Sequence, residues 1–142
     1  FRTMYNNAHE QRDQLKSPSQ ENSPLFKLDA DPRIIKGLSF LRKYSIDELP
    51  QLLNVIRGEM SLVGPRPLFA EDTEYFDKNY MRRLNVLPGM TGLLQINDRN
   101  TDDFRIWYKY DLEYIENWNL RLDVEILFKT VRAVFNRRNS GK

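Results

Sequence analysis

The sequence predicts an α+β fold: one mostly helical domain, spanning 1–142, with a few short strands. Three observations lead there. Apolar residues recur at helical spacing, as Leu49, Leu52, Leu53 and Ile56 do, and again in two stretches toward the C-terminus. Two short apolar runs, 60–64 and 93–96, lie next to glycine and proline. Hydrophobic residues make up 40% of the 142, enough to bury one core.

The elements follow in order. Residues 5–16 suit a short polar helix whose only large apolar side chains are Tyr5 and Leu15. Ser17-Pro18-Ser19-Gln20-Glu21-Asn22-Ser23-Pro24 is a loop by composition. Leu25-Phe26-Lys27-Leu28 suits a short strand, ended by Asp29-Ala30-Asp31-Pro32. The clearest helix follows Ser45, and its start has two registers. Ser45-Ile46-Asp47-Glu48 matches a capping box, but that register places Pro50 where its missing N–H costs a hydrogen bond. With Asp47 as the cap, Pro50 falls where the N–H would be unsatisfied anyway. The second register is preferred, and both put Asp47 and Glu48 in the first turn. Gly58 ends the helix.

Met60-Ser61-Leu62-Val63-Gly64 is a strand running into Pro65-Arg66-Pro67, whose prolines hold the backbone near polyproline geometry and fix where Arg66 points. A helix is expected over about 71–84, with Phe76, Tyr80 and Leu84 on one side. Pro88-Gly89-Met90-Thr91-Gly92 is a turn and Leu93-Leu94-Gln95-Ile96 a strand. Thr101 can cap a helix whose positive end suits Asp102 and Asp103 and which turns Phe104, Tyr108, Leu112 and Ile115 inward. Asn119 opens the last helix, with Val124, Leu127, Phe128, Val131, Val134 and Phe135 on one face.

Composition excludes several chemistries. With no cysteine there is no disulfide, thiolate nucleophile or Cys-based metal site. One histidine, His9, cannot build a His-rich zinc site. The net charge of +2 gives no global pull toward nucleic acid, and no nucleic-acid partner is expected. No apolar run approaches the roughly 18–20 residues of a spanning helix. The chain begins at Phe1 rather than Met, so it is expected to be a soluble fragment of a longer protein.

Three groups of residues could carry chemistry. Asp47-Glu48 places two carboxylates at a helix start, where negative charge is favoured. Consecutive helical side chains diverge by about 100°, so the pair suits two jobs, an attacking carboxylate and a metal ligand or base, although acidic capping alone gives the same pattern. Arg33, Arg42, Arg66 and Arg99 lie beside turns or helix starts, where arginine binds phosphate or carboxylate bidentately, or pairs with nearby acids. Lys129, Arg132, Arg137, Arg138 and Lys142 make the C-terminus basic without any acid. That end could lie on an anionic membrane surface or be the solvated tip of a core helix. Trp107 and Trp118 fit either interfacial anchors or the core. Together the acids, the arginines and the lack of His or Cys suit phosphate chemistry with a hard cation such as Mg²⁺.

The block 41–67, with Arg42-Lys43-Tyr44-Ser45-Ile46-Asp47-Glu48-Leu49-Pro50 and Gly64-Pro65-Arg66-Pro67, closely resembles the signature of the bacterial sugar transferases, the monotopic polyprenyl-phosphate phosphoglycosyl transferases. Phe1-Arg2-Thr3-Met4, Pro24-Leu25-Phe26-Lys27, Asp31-Pro32-Arg33-Ile34, Pro88-Gly89-Met90-Thr91-Gly92 and Gln95-Ile96-Asn97 with Arg99-Asn100 match in order, so the resemblance spans essentially the whole chain. It implies transfer of a sugar-1-phosphate from a UDP-sugar to a polyprenyl (undecaprenyl) phosphate, releasing UMP through a covalent aspartyl phosphosugar. Such a reaction starts surface glycan or exopolysaccharide synthesis at the cytoplasmic face of the bacterial inner membrane.

By resemblance Asp47 is the nucleophile and Glu48 the Mg²⁺ partner, with Asp47 beside it. Arg42 holds phosphate, Arg66 between Pro65 and Pro67 faces the nucleotide, Asp123 matches an acid near the site, and Gln95 and Arg99 belong to the substrate-binding set. The family's N-terminal membrane helix is not in the sequence, and a homodimer stays open. Asp98 stands where the family has glycine, so a turn with positive φ there would be disfavoured. A non-catalytic membrane-surface adaptor that uses the basic C-terminal helix is the alternative.

Overall fold

The computed structural model describes residues 1–8, 11, 15, 31–38, 40–41, 44–99 and 101–135. The loop 17–24, the strand expected at 25–28, Arg42 and the basic residues Arg137, Arg138 and Lys142 lie outside them, as does most of 5–16. Within 5–16, Gln11 N–H bonds to Asn7 C=O and Leu15 N–H to Gln11 C=O, the i→i−4 spacing of a helix.

Among the described residues two strands, β1 (Ser61–Val63) and β2 (Gly89–Thr91), form a parallel pair with Ser61 opposite Gly89 and Val63 opposite Thr91. Four α-helices delimited among the described residues accompany them: α1 (Gln51–Ile56), α2 (Leu93–Asn97), α3 (Phe104–Asn117) and α4 (Leu120–Phe135). Val63, Tyr114 and Ile126 form the buried centre, with Leu93, Ile96, Ile115, Leu122 and Leu127 packed around it. The α+β class therefore stands. At the other end Met4 pairs with Ile34 in an isolated antiparallel bridge that no sequence pattern announced.

One expected turn is a strand, and one expected strand is a helix. The second strand is Gly89–Thr91, expected as a turn, and Leu93–Asn97, expected as a strand, is helical. Glycine explains the first. A Cβ on Gly89 would lie 2.1 Å from the Gly64 nitrogen and one on Gly64 would lie 2.6 Å from the Leu87 carbonyl oxygen, so the backbones approach more closely than any other residue allows. Gly64 N–H bonds to Thr91 C=O and Gly89 N–H to Pro65 C=O, which carries the pairing into the proline turn.

The expected helix over 71–84 is instead two 3-10 helices, Ala70–Tyr75 and Tyr80–Asn85, with Phe76 extended between them. Aspartates break it. The Asp72 carboxylate accepts from Phe69 N–H and that of Asp77 from Tyr80 N–H, so each starts a short helix rather than letting one continue. Phe76 and Tyr80 still meet, edge to face at 4.7 Å, whereas Leu84 is exposed.

Asp103, not Thr101, caps α3: its carboxylate accepts from Arg105 N–H, and Thr101 Oγ1 in turn accepts from Asp103 N–H. Asn119 opens α4 as expected, its Oδ1 accepting from Leu122 N–H. Gly58, at φ 75°, terminates α1 as expected. Asp98 has φ −148°, so the left-handed turn that would have excluded aspartate is not formed there.

Two apolar helix faces point outward. Leu49, Leu52, Leu53 and Ile56, the stripe that marked α1 in the sequence, are all exposed, Ile56 to 82%. In α4 the inward residues are Leu122, Ile126, Leu127 and Thr130, while Val124, Phe128, Val131 and Val134, expected on one face with Leu127, are exposed.

Candidate active site

The Asp47-Glu48 pair does not sit in the first turn of a regular α-helix. Ile46–Glu48 is a 3-10 turn and Pro50 becomes the cap of α1. Proline is the cause. It removes one main-chain donor, and although Leu49 before it stays right-handed at φ −54°, the segment closes with i→i−3 bonds from Glu48, Leu49, Leu52 and Leu53. Ser45 enters the turn at φ 52°, left-handed for a residue with a Cβ, and makes no capping bond. Neither register read from the sequence is therefore formed, and a three-residue turn carries little macrodipole.

Two arginines from distant segments meet this turn. Arg66 Nη2 lies 3.2 Å from Glu48 Oε1, the guanidinium about one-third exposed and the carboxylate less so. Arg99 Nη2 donates to Ser45 Oγ at 2.8 Å. The Phe1 nitrogen donates to the main-chain carbonyl of Asp47, setting the first residue against the same turn. The structure thus assembles Asp47, Glu48, Arg66 and Arg99, residues separated by up to about fifty positions, around one half-exposed carboxylate turn.

Beside Pro65-Arg66-Pro67 opens a cavity of about 310 Å³, walled by proline and aromatic side chains, among them Pro88, Phe69 and Phe76. It is half-open to solvent, and its largely apolar walls carry two arginines, Arg66 and Arg83. Pro65 is buried, and its carbonyl is held by Gly89 N–H at 2.8 Å, which ties the site to β2.

The side-chain amide of Gln95 is buried with no hydrogen-bond partner among the described residues, near the close approach of Gly92 to Gly64. Asp123 accepts from Trp118 Nε1–H at 3.1 Å and lies 2.9 Å from the Tyr114 hydroxyl, itself 3.1 Å from the Val63 carbonyl. That ties α4 to β1. Burial, more than the neighbouring Asp123, pushes the Tyr114 phenol above its usual range. Arg33 is engaged in a fork: Nε and Nη2 bind Asp31, and Nη1 donates to Ala8 C=O.

Three further residues, Tyr80, Arg83 and Asp111, carry no site signal in the sequence. Behind the proline turn, Arg83 Nη2 donates to the main-chain carbonyl of Arg66 at 2.5 Å, and Arg83 Nε lies 3.0 Å from Asp111 Oδ2. The Tyr80 hydroxyl donates to the same carboxylate oxygen at 2.6 Å. Burial pushes the Asp111 carboxyl above the usual carboxylate range, against the pull of Arg83 and Tyr80. Burial and the Asp111 charge push the Tyr80 phenol far above its own, so the hydroxyl stays a donor.

Among the described residues no group of three or more His, Cys, Asp or Glu side chains could hold a metal ion, and no helix is long and apolar enough to cross a membrane. Asp47 and Glu48 still suit a cation that keeps several waters and takes one or two carboxylates plus substrate phosphate, as Mg²⁺ does.

The model of the family described as bacterial sugar transferase matches residues 1–137. An uncharacterized sugar transferase of Haemophilus influenzae is 47% identical over 141 residues, covering 96% of this chain and 30% of that protein. The exopolysaccharide production protein ExoY of Sinorhizobium fredii is 48% identical over 114 residues, 80% of this chain and 50% of its own. Undecaprenyl-phosphate galactose phosphotransferase of Salmonella typhimurium is 42% identical over 145 residues, 96% of this chain and 30% of that protein. The chain thus spans from about a third to half the length of these relatives. With a family match along nearly its whole length, and with the signature acids and arginines gathered at one turn, the chain belongs to the bacterial sugar transferases.

Proposed function

We propose that this domain transfers a sugar-1-phosphate from a UDP-sugar to a polyprenyl phosphate, releasing UMP. The observation that carries this reading is the carboxylate turn at 46–48 with Arg66 on Glu48 and Arg99 on Ser45. Phosphoryl transfer needs charge neutralisation and positioning more than elaborate acid–base machinery, and this turn offers a carboxylate beside two guanidinium groups. The relative from Salmonella typhimurium is named for the same class of transfer.

The reaction balances in two displacements. An Asp47 carboxylate oxygen attacks the phosphorus that carries the sugar, the bond to UMP breaks, and UMP leaves with the electron pair. A phosphate oxygen of the polyprenyl phosphate then attacks the same phosphorus, and the aspartyl–phosphorus bond breaks to restore Asp47. Arg66 and Arg99 orient the diphosphate and offset its growing charge. The cavity next to Arg66 seats the nucleoside end. Glu48, with Asp47 beside it, would hold Mg²⁺, which supplies charge neutralisation on the diphosphate when bound. Arg42, outside the described residues, is assigned to phosphate on resemblance alone, as Gln95 and Asp123 are to the substrate side.

The test is UMP release by the full-length protein in detergent or nanodiscs, with Mg²⁺, undecaprenyl phosphate and a panel of UDP-sugars. One sugar is expected to be turned over well above the others. No UMP from any donor would contradict the assignment.

The outward apolar face of α4 supports work at the cytoplasmic surface of the inner membrane. Val124, Phe128 and Val131 are exposed, flanked by Arg121, Arg132 and Lys129, the last paired with Glu125 at 2.7 Å, an amphipathic face with net positive charge suited to an anionic bilayer. Phe128, 75% exposed, contributes little to folding, so Phe128→Glu is expected to keep the melting temperature. It should weaken co-sedimentation of this chain with phosphatidylglycerol vesicles by about 10-fold. Unchanged vesicle binding would remove α4 from the membrane contact.

A further inference from the structure

Pro65 and Pro67 hold the turn near extended geometry, Arg66 before Pro67 included, but leave the Arg66 carbonyl, and with it the seating of the turn against the domain, to a hydrogen-bond donor. One donor fixes it: Arg83 Nη2 on the Arg66 carbonyl. Arg83 is 5% exposed and Asp111 3%, and the guanidinium lies over the rings of Phe76 and Tyr80, 5.5 and 5.1 Å from their centroids. Burying such an ion pair adds little stability, and apolar residues of the same volume often pack as well. A reason other than stability is therefore needed, and the geometry supplies one: the carbonyl that Arg83 holds belongs to the residue whose guanidinium meets Glu48. Arg83 meets Asp111 through Nε as an ion pair without hydrogen-bond geometry and the Arg66 carbonyl through Nη2, and the planar guanidinium fixes the spacing of the two contacts.

Resting on the reaction proposed above, we propose that Arg83 is a positioning residue that clamps the Arg66 main chain and so aims the Arg66 guanidinium at Glu48 and the donor diphosphate. Asp111 and Tyr80 hold the clamp in place. It touches no reacting atom and acts only through Arg66.

That route sets the test. In the full-length protein, Arg83→Lys keeps the charge facing Asp111 but not the fork, and is expected to melt within a few degrees of wild type while kcat/KM falls about 10-fold. In an Arg66→Ala background the same change should cost less than about 2-fold, because the group it positions is gone. If Arg83→Lys lowers the rate by the same factor in both backgrounds, or by nothing in the wild type, the clamp is refuted. Should Arg83→Lys fail to fold, Tyr80→Phe removes the hydroxyl that holds Asp111 without stranding a buried charge, and must show the same non-additivity. A second readout does not depend on turnover. The Arg66 side-chain ¹H–¹⁵N signal should shift on Glu48→Gln in the wild type and lose that response when Arg83 is lysine. A missing reaction in the wild type would sink the functional reading, whereas an Arg66 signal that responds equally in both proteins would sink the clamp.

Discussion

Replacing Asp47 with asparagine is expected to abolish turnover, with UMP release falling roughly 10³-fold or more while the fold is kept. The amide matches the carboxylate in size but has no anionic oxygen to form the aspartyl–phosphorus bond, and the turn that holds it is built from main-chain bonds of its neighbours. The side chain is half-buried in a three-residue turn, not the anchor of a long helix, so the loss falls on chemistry rather than stability. Glu48→Gln should also lose activity without unfolding, since its charge partner is a partly exposed arginine. The pair is informative together. A nucleophile cannot be replaced by more metal, whereas a weakened Mg²⁺ ligand is partly rescued by raising Mg²⁺. Asp47→Asn turnover at the wild-type rate would refute the nucleophile assignment, and an Mg²⁺-insensitive Glu48→Gln defect would remove the metal role.

The second large effect is on folding. Gly89→Ala is expected to destabilise the domain by about 3 kcal/mol or more, because the new methyl group would fall 2.1 Å from the Gly64 nitrogen, backbone against backbone with no side chain to yield. Thermal unfolding should move down by about 10 °C for a domain of this size. Because Gly89 N–H holds the Pro65 carbonyl, whatever folds should also bind donor nucleotide less tightly. A melting temperature within a degree or two of wild type would show that the two strands can part without cost, contrary to the close contact of Gly64 with Gly89.

The helices with strong internal signals were legible. Phe104–Asn117 and Leu120–Phe135 carry continuous periodicity and the Asn119 cap, and Gly58 stops Gln51–Ile56. What escaped did so for local reasons. Aspartate side chains at 72 and 77 compete with the helix ladder and split one expected helix into two short turns. Gly89 permits a strand where glycine and proline suggest a turn, and the neighbouring apolar run is left to form a helix. Periodicity identified the apolar stripe of α1 but not its direction, since a stripe facing water has the same spacing as one facing the core.

At the site, the Asp-Glu pair, Arg66 and Arg99 were legible from type, spacing and resemblance, and the structure brings them to one turn. The left-handed Ser45 was not, because nothing in a serine announces a positive φ. Nor was Arg83, which sits in an ordinary helical stretch and gains meaning only from the carbonyl it reaches.

The central claim is a phosphosugar carried on Asp47, and withholding the acceptor tests it most directly. Full-length protein mixed with Mg²⁺ and its preferred UDP-sugar, but no polyprenyl phosphate, should release one equivalent of UMP and gain the mass of one sugar phosphate, mapped by peptide mass spectrometry to Asp47. Absence of the adduct in an enzyme that turns over once lipid phosphate is added, or an adduct on another residue, would contradict it.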